Sequence, residues 1–212
     1  MNTQWLPLCL VSAALALVAG RAAACPPSAL DSTFPSTIKL VGTHAGVADP
    51  VGEFDVVVRG LAGQIVRSSY VVLDFSDAVS TGSVRLADQQ PAGVIVDCAS
   101  HTIRTVSDDQ GIARIRVIGA ARHDRAARDA RVSVYADGVL FGQARVAAFD
   151  ENGANGVSAA DVAAFADDLF GSGYGSRSDF NGDGVLNGLD LASLTTVLFR
   201  GGSTESAVTW CP

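Results

Sequence analysis

The sequence predicts a mainly β protein: a β-sandwich followed by a small all-α unit made of a duplicated loop and helix. Two observations carry the first part. Short Val- and Ile-rich runs recur between positions 37 and 149, and Gly- or Asp-containing turn signals separate them. A third observation carries the second part. From position 150 the strand pattern gives way to two Asp/Asn/Gly-rich loops, each followed by apolar residues at helical spacing.

Positions 6–20 are apolar, and Ala22-Ala23-Ala24 offers small residues before Cys25. This is the shape of a secretory signal over 1–24, too short to span a membrane as a mature helix, although its first residues lack the usual Lys or Arg. The expectation is a secreted, extracellular or cell-surface protein. Cys25 at the position after cleavage makes lipid anchoring an alternative, against which stands the missing leucine three residues earlier. Cys9 would leave with the signal, and Cys25, Cys98 and Cys211 would remain. That odd count permits one disulfide and one leftover thiol, and the spacing leaves the pairing open.

Candidate strands occupy 37–41, 54–59, 69–75, 94–98, 102–106, 112–118, 131–135 and 139–149. Within 112–118, Arg114 and Arg116 fall on the face opposite Ile115 and Val117. Asp137-Gly138 is a two-residue hairpin signal, and Asp108 to Gly111 is a second turn. This density of short strands points to a sandwich over 25–149. The run Phe54-Asp55-Val56-Val57-Val58-Arg59 with 69–75, and the phrase Thr105-Val106-Ser107-Asp108-Asp109-Gln110-Gly111-Ile112-Ala113, resemble bacterial immunoglobulin-like domains of the invasin/intimin type. The resemblance implies an immunoglobulin-like β-sandwich that serves as a spacer or adhesive module.

The second loop reads Asp179-Phe180-Asn181-Gly182-Asp183-Gly184-Val185-Leu186-Asn187-Gly188-Leu189-Asp190. Oxygen-bearing side chains stand at positions 1, 3, 5, 9 and 12, with a glycine at position 6. A hard cation such as Ca²⁺ takes six to eight oxygens at roughly 2.3–2.6 Å, and this spacing wraps a chain around one. The candidate ligands are Asp179, Asn181, Asp183, the Val185 carbonyl, Asn187 and Asp190. The first loop supplies Asp150, Asn152, the Gly156 carbonyl, Ser158 and Asp161 in the matching positions. Ala154 stands where its fifth-position ligand should be and Asn155 replaces the turn glycine, so the first site is expected to bind more weakly.

Behind the loops, Val162, Phe165, Leu169 and Phe170, and then Leu191, Leu194, Leu198 and Phe199, are placed on one helix face each. Gly171 or Gly173, and Gly201 or Gly202, are the expected C-caps. No entering helix precedes either loop. This loop-then-helix unit, duplicated over about 149–199, resembles the dockerin domain of cellulosome-type assemblies. The resemblance assigns 150–212 to a dockerin-like, EF-hand-like domain with bound Ca²⁺. It also implies protein–protein docking to a cohesin-like partner, and a link to polysaccharide-degrading assemblies.

Charge follows the loops. From position 150 onward there are nine acidic and two basic residues, while the rest of the chain holds thirteen of each. Clustered carboxylates repel unless a cation neutralises them, so folding of this part is expected to be metal-linked. A sequence pI near 4.8 argues against nucleic acid as a partner. Nothing reads as catalytic. His44, His101 and His123 have no metal-ligand spacing, no serine sits in a G-x-S-x-G elbow, and both Cys98–His101 and Asp74–Asp77 read better as structural neighbours. Two functional readings follow. One is a calcium-ordered docking module. The other is a structural or adhesive β-protein with a calcium-stabilised C-terminal cap; it gains from the missing linker before Asp150 and from Ala159-Ala160 and Gly188-Leu189 at positions 10 and 11, where the family often carries Ser/Thr contacts.

Overall fold

The computed structural model describes residues 26–122, 129–154, 156–171, 175–200 and 209–212. The signal expected over 1–24, Cys25, His123, Asn155 and glycines 173, 201 and 202 lie outside the described residues. In chain order the strands are β1 (Thr37–Val41), β2 (Thr43–His44), β3 (Val47–Ala48), β4 (Phe54–Val57), β5 (Tyr70–Asp74), β6 (Val84–Leu86), β7 (Ile95–Asp97), β8 (Thr102–Val106), β9 (Ile112–Ile115), β10 (Val117–Ala121), β11 (Arg131–Ala136) and β12 (Val139–Ala148). The helices are a short α1 (Ser76–Ser80), then α2 (Ala159–Phe170) and α3 (Gly188–Phe199).

The protein is mainly β. Eight strands form one sheet in the order β6-β10-β1-β12-β11-β5-β8-β7. Its centre is parallel, because β1 pairs with both β10 and β12 in that sense, and all its other pairs are antiparallel. Parallel strands are covered on both faces, and the burial follows: all of β10 and four of the five residues of β1 are buried. Alternate residues along the end of β12 serve two different cores. Val146 and Ala148 join the first, with Ile38, Leu40, Leu73 and Val117; Ala147 and Phe149 join the second. A two-stranded β4–β9 ribbon contributes Val56, Ala113 and Ile115 to the first core.

The expected strand over 112–118 is divided. Its first half pairs with β4, its second half with β1 and β6, and Arg116 stands at the corner where the chain changes sheets. The expected hairpin at Asp137-Gly138 forms, with φ of 47° and 81° at the two residues, as the tight two-residue turn requires. Strands β2, β3 and β6, and helix α1, were not anticipated; each is too short to show a period.

Two edges of the large sheet meet. The tail at 209–212 pairs along β6, with Cys211 N–H donating to the Leu86 carbonyl at 2.9 Å and Trp210 bridging Ala87. Cys98, just past β7 at the other edge, is bonded to Cys211, with Cα atoms 5.0 Å apart. The disulfide therefore laces a curled sheet across its two rims. It also removes the free thiol that a Cys98–His101 pair would need.

Candidate metal centre

The first loop begins inside the sheet. Phe149 N–H donates to the Leu40 carbonyl, and the Asp150 carbonyl accepts from Ala121 at 3.0 Å. Asp150, two residues past the end of β12, is thus both bonded to β10 and the first candidate ligand. Its carboxylate accepts from Ala154 N–H at 3.0 Å, and Asn152 Oδ1 accepts from the same N–H at 2.7 Å. Asp161 closes the loop: Oδ1 accepts from Asn152 N–H at 3.0 Å, and Oδ2 from the N–H and hydroxyl of Ser158 at 2.7 and 3.0 Å. Ser158 is also the N-cap of α2, with Asp161 at N3, so candidate positions 9 and 12 form a capping box.

The second loop repeats this arrangement twenty-nine positions later. Asp179 accepts from Gly182 and Gly184 N–H at 2.8 and 2.9 Å. Asp183 is tied to Asn181 by two bonds of 2.9 Å and accepts from Val185 N–H at 2.8 Å. Asp190 accepts from Asn181 N–H at 3.2 Å and Asn187 N–H at 3.1 Å, and Asn187 caps α3 in a second capping box. The first and last aspartates are fully buried here, whereas Asp183 and Val185 are exposed. In both loops backbone N–H groups gather carboxylate and amide oxygens around the turn, which leaves further lone pairs on each oxygen.

The donor chemistry fits a hard cation. All the side-chain donors are oxygens, and Asp161 and Asp190, both fully buried, accept only from backbone N–H and hydroxyl groups. Buried carboxylates with no cationic side chain bonded to them are the kind that metal ions satisfy. The spacing is less complete than the donor set: among the described residues no three His, Cys, Asp or Glu side chains close on one point at metal-holding distance. The amide oxygens of Asn181 and Asn187 and the Val185 carbonyl would have to complete the second loop. In the first loop Ala154 contributes only its backbone N–H, and Gly156, at φ 68°, carries the turn.

Burial sets the electrostatics of the first loop. Burial pushes the Asp150 carboxyl above its ordinary value, and the charge of Asp161 adds to this; the Ala154 N–H and Arg85 act in the opposite direction. Glu151, at position 2, is fully buried and pushed well above the ordinary value by burial, against the pull of Arg177 and Ser178. Its Oε1 has no hydrogen-bond partner. The Ser178 hydroxyl lies 3.0 Å from Glu151 Oε2 and 2.7 Å from Asp168 Oδ2, one proton between two acceptors. Asp168 in turn holds Arg177 bidentately at 2.6 and 2.9 Å. Burial works against the Arg177 charge, yet the bonds to Asp168 outweigh it and raise the guanidinium above its ordinary value.

The helix faces need one correction. Phe165 and Leu194 are buried as expected, but Phe170 and Phe199 are 84% and 86% exposed. Each is one residue past its apolar stripe, about 100° further round the helix. Val197, not among the expected face residues, is fully buried. The C-cap of α2 is Gly171 in extended conformation, and that of α3 is Arg200.

Sequence reasoning also missed the contact between repeat and sheet. Phe180 stacks on Phe149 with ring centroids 4.4 Å apart and on Phe165 at 6.3 Å. These rings share the second core with Val41, Ile118, Ala147, Leu194 and Val197. The glycines at loop position 4 lie against the sheet. A Cβ on Gly153 would meet the Ala121 carbonyl oxygen at 2.3 Å, and one on Gly182 would meet the hydroxyl oxygens of Ser36 and Thr37 at 2.6 Å. Both have positive φ, so glycine is required twice over. The recurrence of glycine at position 4 in both copies was the available signal. Among the described residues no helix is long and apolar enough to cross a membrane. Comparison with protein-family models, with curated proteins and with solved structures finds no match to this chain.

Proposed function

We propose that this chain is an exported, calcium-binding β-protein whose C-terminal repeat is a metal-stapled cap on the sheet, serving a structural or adhesive role. The observation that carries this reading is the second core: Phe149, Ala147 and Ile118 of the sheet and Phe165, Phe180, Leu194 and Val197 of the repeat form one buried cluster. A module that works by reaching for a partner has its own core and a linker; here the first candidate ligand is hydrogen-bonded within the sheet. When bound, Ca²⁺ would neutralise the aspartates of the loops, with Asp179, Asn181, Asp183, Val185, Asn187 and Asp190 as the stronger set. The immunoglobulin-like reading of the β-part draws support from the β4–β9 ribbon, which shares the first core with the main sheet.

A docking reading, in which the dockerin-like repeat binds a cohesin-like protein, has one observation in its favour. Phe170 and Phe199 are exposed at matched positions of α2 and α3, as a duplicated contact face would present them. One experiment separates the two. Calorimetric Ca²⁺ titration is paired with thermal melts in calcium and in chelator, followed by circular dichroism in the helix and strand regions. A cap predicts one transition, shifted as a whole by calcium. A docking module predicts two transitions, with calcium moving only the helical one. No uptake at millimolar calcium would overturn the metal in both readings.

A further inference from the structure

We propose that Arg145 and Arg85 are built-in cations of the two loops, one for each: Arg145 holds the first aspartate of the second loop, and Arg85 the turn of the first, before metal arrives, and each lowers the affinity of its loop for Ca²⁺. The inference rests on the calcium reading above and adds affinity-setting residues that lie outside the loops. Arg145, on β12, places Nη1 3.9 Å from Asp179 Oδ2. The same nitrogen would lie 3.6 Å from a Cβ built on Gly184, so the guanidinium runs beside loop positions 1 and 6. Arg85, on β6, donates from Nη2 to the Gly153 carbonyl at position 4 of the first loop. The Trp210 ring supports Arg85 from another side, 4.0 Å from its guanidinium carbon.

The two arginines come from different strands and are not part of the repeat. They nevertheless meet the start of each copy: Arg145 lies beside positions 1 and 6 of the second loop, and Arg85 bonds position 4 of the first. An acidic loop without metal is destabilised by its own carboxylates, and a guanidinium beside the first of them relieves this. The same positive charge repels an incoming dication. The signs are therefore opposed: each arginine stabilises the metal-free loop and weakens metal binding. Arg145 also lies 3.9 Å from Asp129 Oδ1, so part of its effect on folding belongs to that contact.

The test uses the full chain with Arg145→Met, which keeps the apolar stem, and Arg145→Lys, which keeps the charge. Melts in chelator and calorimetric Ca²⁺ titration are run on both. Arg145→Met should melt a few degrees lower in chelator yet bind calcium about three- to tenfold more tightly at the stronger site, and Arg145→Lys should lie close to wild type in both. Arg85→Lys should likewise leave the weaker site near its wild-type affinity. Unchanged or weaker calcium binding in Arg145→Met would overturn the proposal, since a merely structural arginine lowers stability and affinity together. If the wild-type chain takes up no calcium, the metal reading fails by itself and the chelator melts decide. A loss in Arg145→Met that Arg145→Lys restores keeps the counterion role; equal melting of all three ends it.

Discussion

Glu151 and Phe180 occupy the same second position of the two loops, and both are buried, yet they do opposite work. Phe180 stacks between Phe149 of the sheet and Phe165 of α2 and ties the repeat to the β-structure. Glu151 buries a carboxyl with one oxygen lacking any hydrogen-bond partner, among Ser178, Arg177 and Asp168. The second loop combines the fuller set of candidate ligands with a stacked apolar anchor. The first loop combines the poorer set of candidate ligands with a buried acid. Both copies touch the sheet, the second through a stacked ring and the first through the Asp150 carbonyl and Gly153.

The sharpest way to break this contrast is Phe180→Ala. Removing a ring stacked between two others should cost about 4 kcal/mol and detach α2 and α3 from the sheet, measured by denaturant unfolding. A loss below 1 kcal/mol would mean the anchor lies elsewhere. Next come the closing aspartates. Asp190→Ala strands the N–H groups of Asn181 and Asn187 and removes a fully buried carboxylate, at an expected cost of about 2–3 kcal/mol in calcium. Asp161→Ala breaks the equivalent contacts in the poorer site and should cost less in calcium; equal losses would erase the ranking of the loops. In the opposite direction, Ala154→Asp restores the missing fifth-position carboxylate. It should tighten the weaker calcium event about tenfold by calorimetry, and should lower the melting point slightly in chelator.

The smallest expected effect belongs to Glu151→Gln, and it carries a pH signature. The Glu151 carboxyl is raised in the fold above the ordinary value of 4.5, so the folded state binds its proton more tightly than the unfolded chain does. Its stabilising contribution is complete below that ordinary value and is lost as pH rises through the folded-state value. In chelator the wild-type melting temperature should therefore fall with rising pH across this window, while Glu151→Gln flattens the slope and gains about 1 kcal/mol near neutrality. Parallel pH profiles for the two proteins would show that burial of this carboxyl costs nothing.

Much of this was legible from spacing alone. Both loops, the two helices and most strands follow from the recurrence of Asp at positions 1 and 12 and from apolar periods, because local hydrogen bonding decides such elements. Tertiary pairing was not legible. The parallel placement of β1 between β10 and β12, and the change of sheets at Arg116, depend on contacts between segments about thirty to one hundred positions apart. Phe180 stands at a loop position with no ligand role, and nothing in the loop pattern records an aromatic neighbour at Phe149. The disulfide stayed open between three cysteines for the same reason: it depends on where two sheet edges meet.

That meeting has a consequence for how the protein survives. Eight strands closed by a covalent link between rims behave as a hoop, and cutting the hoop at Cys98–Cys211 yields a ribbon. The tail would peel from β6, and its unpaired N–H and C=O groups would become a template for another chain. Reduction should therefore be felt first as self-association, which light scattering with and without a reductant would register before any loss of strand signal.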